Sequence, residues 1–151
     1  MIKITTKNPG QTARAAKKFS SILEKGDIVL FSGELGSGKT LMIKNIAGYF
    51  KVNPREVKSS SFIIMREYPG EIPVVHIDLY RLEPNQIPDE VFTEIFEKKG
   101  LVLIEWADRI SLRGGYFSIG IKYLSLTFRE IVITASSREL EMRLRKAGKE
   151  L

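Results

Sequence analysis

The sequence has no cysteine and only one histidine among its 151 residues. The missing thiols exclude disulfides, thiolate metal sites and cysteine nucleophiles. A transition-metal site is not expected either, since such sites draw several ligands from His and Cys. No stretch reaches the roughly 18 apolar residues of a membrane-spanning helix. The first residues also lack the apolar core of a signal peptide. We therefore expect a cytoplasmic protein with no membrane partner.

Length and composition predict one domain over residues 1–151, since 43% of the residues are hydrophobic and can build a core. The formal net charge of +6 is modest, and much of it lies at the two ends. These charges either contact nucleic acid or an acidic partner, or belong to solvated helix faces, which is the favoured interpretation. They are Lys3, Lys7, Arg14, Lys17, Lys18 and Lys25, then Arg138, Arg143, Arg145, Lys146 and Lys149.

One loop fits the phosphate-binding pattern Gly-x-x-x-x-Gly-Lys-Ser/Thr in full. An apolar run at 27–32 precedes it, and a helical apolar face begins after it at Leu41. In that context backbone N–H groups cradle phosphates, Lys39 reaches the β- and γ-phosphates, and the Thr40 hydroxyl binds Mg²⁺. The plainer alternative is a glycine-rich turn that caps a helix. The loop consists of Gly33, Glu34, Leu35, Gly36, Ser37, Gly38, Lys39 and Thr40.

The remaining pattern predicts an α/β fold of the P-loop NTPase type, a mixed sheet with a parallel centre, flanked by helices. An edge strand at 1–5 precedes a helix that buries Thr12, Ala16, Phe19 and Leu23. A hairpin follows over about 62–78, a short helix after Pro88, a buried strand at 101–104, and strands at 117–123 and 130–134. A capping box formed by Ser136 and Glu139 is expected to start a last helix. Its inward face is Leu140, Leu144, Ala147 and Leu151.

Two carboxylates end predicted strands, where phosphoryl-transfer proteins hold Mg²⁺. Asp78 follows residues 74–77, and Glu105 follows residues 101–104. Glu105 contacts Mg²⁺ either directly or through water, and it can also orient the attacking water. The alternative for both residues is a carboxylate that simply ends a strand at the surface.

Several nearby side chains have open roles. His76 lies within a strand, which favours a satisfied core histidine over a catalytic base. Arg81 either supplies charge to a phosphate or pairs with Asp78. Trp106 either stacks on a base or a partner, or packs in the core. The serines at 59–61 form either a nucleotide-sensing loop or a polar connection into a strand.

Three segments together resemble the TsaE family, also called YjeE, small bacterial P-loop proteins of tRNA threonylcarbamoyladenosine formation. They are the loop at 33–40, His76-Ile77-Asp78-Leu79-Tyr80-Arg81-Leu82, and Leu103-Ile104-Glu105-Trp106. Their order and spacing match the family, over a length equal to the whole family domain. One departure is Ser60, which stands where the family usually has proline in Ser-Pro-Thr-Phe/Tyr. Without that rigid residue the loop is expected to be more mobile.

The resemblance implies a Mg²⁺-dependent ATPase that binds ATP and ADP and acts on a TsaB–TsaD complex to sustain its turnover. Contact with tRNA is expected to be indirect or weak. By resemblance, Lys39, Asp78 and Glu105 are catalytic, and Thr40, Asp78 and Glu105 hold Mg²⁺. Nucleotide binding extends from the loop at 33–40 to Leu41, Trp106 and Arg129.

Two other functions stay open. The first is a small-molecule kinase, although no segment predicts the arginine-rich lid that such kinases use. The second is a basic RNA-binding module, although the sequence lacks an aromatic RNA-binding signature.

Overall fold

The computed structural model describes residues 1–58 and 63–148, within which eleven helices and strands are defined. No helix in these two ranges is long and apolar enough to cross a membrane. Short 3₁₀ turns cover Pro84–Gln86 and Ala107–Arg109. The elements in chain order are β1 (Ile2–Thr6), α1 (Pro9–Ser20), β2 (Ile28–Ser32), α2 (Lys39–Tyr49), β3 (Met65–Tyr68), β4 (Val74–Asp78), α3 (Asp89–Glu97), β5 (Leu101–Glu105), β6 (Phe117–Tyr123), β7 (Arg129–Ala135) and α4 (Arg138–Gly148).

The strands form one seven-stranded sheet in the order β1-β7-β6-β2-β5-β4-β3. The neighbouring strands β6, β2, β5 and β4 run parallel to one another. The outer pairs β4–β3, β6–β7 and β7–β1 are antiparallel. The predicted α/β fold, a mixed sheet with a parallel centre, is therefore confirmed. Because β2, β5 and β4 run parallel, their carboxyl ends lie at the same edge of the sheet. The segments that follow these three strands therefore lie close together.

Both faces of the parallel centre are covered by apolar side chains. In β5, Leu101 and Leu103 pack into the cluster that includes α1, α2 and α4. Their alternate neighbours Val102 and Ile104 pack into a second cluster with α3. Every residue of β5 is buried, as its continuous apolar run predicts. This burial holds the carboxyl ends of the central strands in fixed positions.

Helix α1 follows the sequence prediction closely. Asn8 caps it by accepting a hydrogen bond from the Gln11 N–H at 2.9 Å, and Pro9 occupies the first turn. The predicted inward residues are all buried, including Leu23, which lies just past the helix end. They are Thr12, Ala16, Phe19 and Leu23.

The start of α4 corrects the predicted capping box. Ser137, and not Ser136, accepts a hydrogen bond from the helix backbone, from the Leu140 N–H at 3.3 Å. The Ser136 hydroxyl is used elsewhere, because it links the Gly114 carbonyl to the Tyr116 N–H. Buried Leu140, Leu144 and Ala147 confirm the inward face, while the predicted Leu151 lies outside the described residues.

Arg143 of α4 differs from both interpretations of the terminal charges. Its guanidinium is largely buried, donates to the Asp27 carboxylate and the Ile22 carbonyl, and lies over the Phe117 ring. Because its hydrogen-bond partners belong to the chain itself, this charge fastens α4 to the turn before β2. It is therefore a structural cation.

Candidate nucleotide-binding site

The loop at 33–40 connects the buried strand β2 to the N-terminus of α2. Gly38 precedes the helix with a φ of 114°, and among the described residues no side chain caps this terminus. A helix start without a side-chain cap offers its N–H groups and positive dipole end to an anion. The order strand, glycine loop, helix that the sequence predicts is therefore present.

Close contacts explain two of the loop glycines. A Cβ on Gly33, whose φ is 143°, would lie 2.5 Å from the Ile121 carbonyl oxygen and 2.7 Å from the Ser37 hydroxyl. A Cβ on Gly36, whose φ is 74°, would lie 2.8 Å from the Tyr123 hydroxyl. Both positions also have left-handed backbone, which favours glycine. The end of β6 thus packs directly against the loop.

Lys39 begins α2 and folds back onto the loop. Its Nζ donates to the carbonyls of Gly33 at 2.7 Å and Glu34 at 3.0 Å, and lies 4.3 Å from the centre of the Trp106 ring. Burial lowers the pKa of Lys39 below 10.5, against the opposing pull of nearby carboxylates. Those carboxylates are Glu105, Asp78 and Asp108. A partly desolvated cation of this kind gains strongly from an anionic ligand.

Glu105 is a buried carboxylate, only 2% exposed, at the end of β5. Its Oε1 accepts from the Thr40 hydroxyl at 3.3 Å, and its Oε2 lies 2.8 Å from Nε2 of His76. The structure therefore joins the predicted loop threonine to the predicted acid across 65 residues of sequence. His76 is buried and hydrogen-bonded, as expected for a satisfied histidine.

Asp78 ends the neighbouring strand β4 in register with Glu105. It is half-buried, and its Oδ1 accepts from the Tyr80 N–H at 3.0 Å. Both predicted acids thus lie at the same sheet edge, although only Glu105 is enclosed. Arg81 lies at the surface beyond them, and its two alternatives remain predictions.

The donor set suits Mg²⁺ in type. The Thr40 hydroxyl and the Glu105 carboxylate are hard oxygen ligands, and their oxygens lie 3.3 Å apart. Within residues 1–58 and 63–148, no group of three or more His, Asp and Glu side chains could hold a metal by itself. That fits a cation which completes its coordination with phosphate oxygens and water.

Trp106 adopts left-handed backbone, with a φ of 58°, directly after Glu105. Its ring packs on Tyr80, with centroids 4.8 Å apart, and also covers Lys39. A cleft beside it is lined by loop residues and by Thr40 and Glu105, two of the three predicted metal ligands; the third, Asp78, is not among the lining residues. The lining residues are Leu35, Gly36, Gly38, Lys39, Thr40, Glu105 and Trp106.

The hairpin of β6 and β7 contacts the other side of the loop. Arg129 Nε donates to the Ser37 carbonyl at 2.9 Å, and its guanidinium lies 4.0 Å from the centre of the Tyr123 ring. The Tyr123 hydroxyl donates to the Gly36 carbonyl. A second cleft at this side includes Leu41, Ser37 and Arg129. Arg129 therefore contacts the loop backbone, and its predicted role toward nucleotide stays a prediction.

Two contributors to this site, Tyr123 and Asp108, are not predicted from the sequence. Tyr123 reaches the loop through a hydrogen bond between residues 87 positions apart, which no local pattern indicates. Asp108 lies in the 3₁₀ turn after Trp106 and acts electrostatically on Lys39. Asp108 follows Glu105, the last residue of β5, by three positions, and that proximity in sequence could have indicated it. The serines at 59–61, with Phe62, lie outside the described residues.

The mixed sheet with its parallel centre and the glycine loop before α2 define a protein of the P-loop fold. The family model described as "Threonylcarbamoyl adenosine biosynthesis protein TsaE" matches residues 6–136. The chain belongs to the TsaE family.

Two curated relatives named "tRNA threonylcarbamoyladenosine biosynthesis protein TsaE" are similar over most of their length. The relative from Bacillus subtilis is 35% identical over 144 residues, covering 93% of this chain and 90% of its own. The one from a Nostoc species is 30% identical over 140 residues, covering 89% and 86%. The crystal structure of Bacillus subtilis YdiB matches with a TM-score of 0.80 at 30% identity, covering 99% of this chain and 95% of that one. The family resemblance and the predicted fold are thus confirmed.

Proposed function

We propose that the chain binds and hydrolyses ATP with Mg²⁺ in tRNA threonylcarbamoyladenosine biosynthesis, the pathway named for its relatives. The hydrogen bond between Thr40 and Glu105 carries this proposal, because it pairs the loop hydroxyl with a buried carboxylate at the phosphate-binding terminus of α2. The proposal assigns residues 1–151 to one nucleotide-binding domain, working in the cytoplasm.

Each site residue has a task in this proposal. The N–H groups of the loop at 33–40 and of Leu41 hold the phosphates, and Lys39 moves from the loop carbonyls onto the β- and γ-phosphates. Thr40, Glu105 and the neighbouring Asp78 hold Mg²⁺, which neutralises charge on the phosphate oxygens when bound. Trp106 and Arg129 line the nucleotide site.

Hydrolysis then needs a positioned water and an acceptor for its proton. The water oxygen bonds to the γ-phosphorus as the bond from that phosphorus to the bridging oxygen breaks, which releases ADP and phosphate. The carboxylates of Glu105 and Asp78 lie at one sheet edge beside Lys39, where they orient this water and take up its proton. Sites of this type owe their rate mainly to position and charge.

The proposed partners are TsaB and TsaD homologues, on whose complex the chain acts to sustain turnover, as the family resemblance implies. tRNA contact is indirect or weak. The test measures ATP turnover by the purified chain alone and with both partners, alongside tRNA modification over many rounds. We expect hydrolysis to rise with the partners, and repeated modification to depend on Lys39. If the partners do not change ATP turnover and the chain does not affect tRNA modification, the proposed role in this pathway is wrong.

A further inference from the structure

His76 is a buried polar side chain that the proposed mechanism leaves without a task. It is 5% exposed in the middle of β4, and its Nε2 lies 2.8 Å from Oε2 of Glu105. Because a carboxylate only accepts hydrogen bonds, the imidazole Nε2–H is the donor. The sheet register explains how the His76 side chain reaches Glu105. His76 pairs with Leu103, so its side chain shares a face with Leu103 and with Glu105 two residues further along.

The two oxygens of Glu105 have different partners. Oε1 accepts from the Thr40 hydroxyl at 3.3 Å, and Oε2 accepts from His76 at the shorter distance of 2.8 Å. In the proposed function the Thr40 hydroxyl oxygen and Glu105 would hold Mg²⁺ on the Oε1 side of the carboxylate. The bond from His76 lies on the Oε2 side and is therefore the contact that fixes the carboxylate independently of Thr40.

We propose that His76 is a positioning residue, which orients Glu105 through Oε2 so that Oε1 faces Thr40 and the phosphate loop. This inference rests on the proposed function. A buried histidine that orients a metal-binding carboxylate acts through that carboxylate and touches neither nucleotide nor metal. A purely structural histidine would affect stability and leave Mg²⁺ dependence unchanged.

Three substitutions separate these roles. His76→Gln retains a side-chain N–H donor at about the same distance from the backbone as Nε2 of histidine. His76→Asn has a side chain one methylene shorter, so its donor lies further from Glu105. His76→Leu removes the donor. ADP affinity is measured by calorimetry in EDTA and over a Mg²⁺ titration. Thermal unfolding of each variant without nucleotide or metal shows that it is folded.

We expect His76→Leu and His76→Asn to bind ADP in EDTA within about twofold of the original chain. The Mg²⁺ concentration for half-maximal enhancement should rise about 10- to 100-fold, and His76→Gln should recover most of the loss. A folded His76→Leu chain with the original Mg²⁺ response would overturn the inference. Should that variant not fold, equal responses of the Gln and Asn variants would overturn it.

The same titration on Glu105→Gln keeps this inference distinct from the function it rests on. If the original chain responds to Mg²⁺ and Glu105→Gln does not, the metal assignment stands and the His76 variants test positioning alone. If the original chain shows no response to Mg²⁺, the metal assignment and the positioning role both fall.

Discussion

Two walls flank the loop at 33–40, and they contact it in different ways. The acid wall consists of Asp78 and Glu105 at the ends of β4 and β5, His76 in the middle of β4, and Trp106 directly after β5. It meets the side chains of Thr40 and Lys39. The hairpin wall consists of Tyr123, Arg129 and the connecting residues 124–128, and it meets the loop backbone. The acid wall therefore contacts the side chains that the proposed mechanism uses, whereas the hairpin wall holds the backbone of the loop.

The backbone contacts of the hairpin wall have a consequence for phosphate binding. In a trans peptide the carbonyl of one residue and the N–H of the next point in opposite directions. Arg129 holds the Ser37 carbonyl on the hairpin side, so the Gly38 N–H points away from the hairpin. The guanidinium is itself fixed, because it also donates to the carbonyls of Ser125, Leu126 and Phe128. The hairpin wall thus preorganises an N–H group of the proposed phosphate site.

The largest effect should come from the acid wall. Glu105→Gln keeps the size of the side chain and an oxygen acceptor for His76, so the fold should be retained. Losing the charge should lower ATP turnover at saturation by about 100-fold or more, the contribution of a positioned acid–base or metal-binding carboxylate. Steady-state kinetics with Mg²⁺ measures it, and Asp78→Asn is the matched comparison. Full turnover by Glu105→Gln would transfer the role to Asp78.

Lys39→Ala should weaken nucleotide binding, because it removes the ammonium group that lies beside the loop and the Trp106 ring. A hydrogen bond to a charged group contributes about 1.5–3 kcal/mol, which corresponds to a loss of about 10- to 100-fold in ATP affinity. Equilibrium binding of a fluorescent ATP analogue measures this loss. Exposed Lys25, at the opposite end of β2, provides the control variant Lys25→Ala. Unchanged ATP affinity of Lys39→Ala would contradict the assignment of Lys39 to phosphate binding.

The hairpin wall is tested by Arg129→Ala, whose effect should be smaller and of a different kind. Loss of the bond to the Ser37 carbonyl should loosen the loop and weaken nucleotide affinity by about 10-fold, near 1.4 kcal/mol. Turnover at saturating ATP should change by less than about threefold, because the acid wall is untouched. Exposed Arg138→Ala serves as the control. A large loss of turnover with normal affinity would place Arg129 in the chemical step.

The two walls also differ in how far the sequence predicts them. The acid wall follows local rules, because the apolar runs of β4 and β5 end directly at Asp78 and Glu105, and parallel strands bring those ends together. The hairpin wall depends on which carbonyl Arg129 meets 92 residues away, and apolar periodicity carries no such information. The bond from His76 to Glu105 required the strand register as well. The wrong prediction of the α4 cap has a similar cause. The Ser136 hydroxyl bonds to Gly114 and Tyr116, which are distant in sequence, and the adjacent Ser137 caps the helix instead.

The smallest predicted effect concerns charge just outside the acid wall, and it has the opposite sign. Asp108 is exposed but raises the pKa of Lys39, partly offsetting the lowering by burial. Asp108→Asn removes that contribution, so the pKa of Lys39 falls further below 10.5. It also removes a negative charge that repels phosphate. ATP affinity near neutral pH should therefore rise, by less than about threefold, and the gain should shrink as salt screens the site.

Binding measured at low and high ionic strength tests this effect, with exposed Asp89→Asn as the control. Weaker binding of Asp108→Asn at both salt concentrations would instead show that Asp108 supports the nucleotide site, and the acid wall would then extend into the 3₁₀ turn after Trp106.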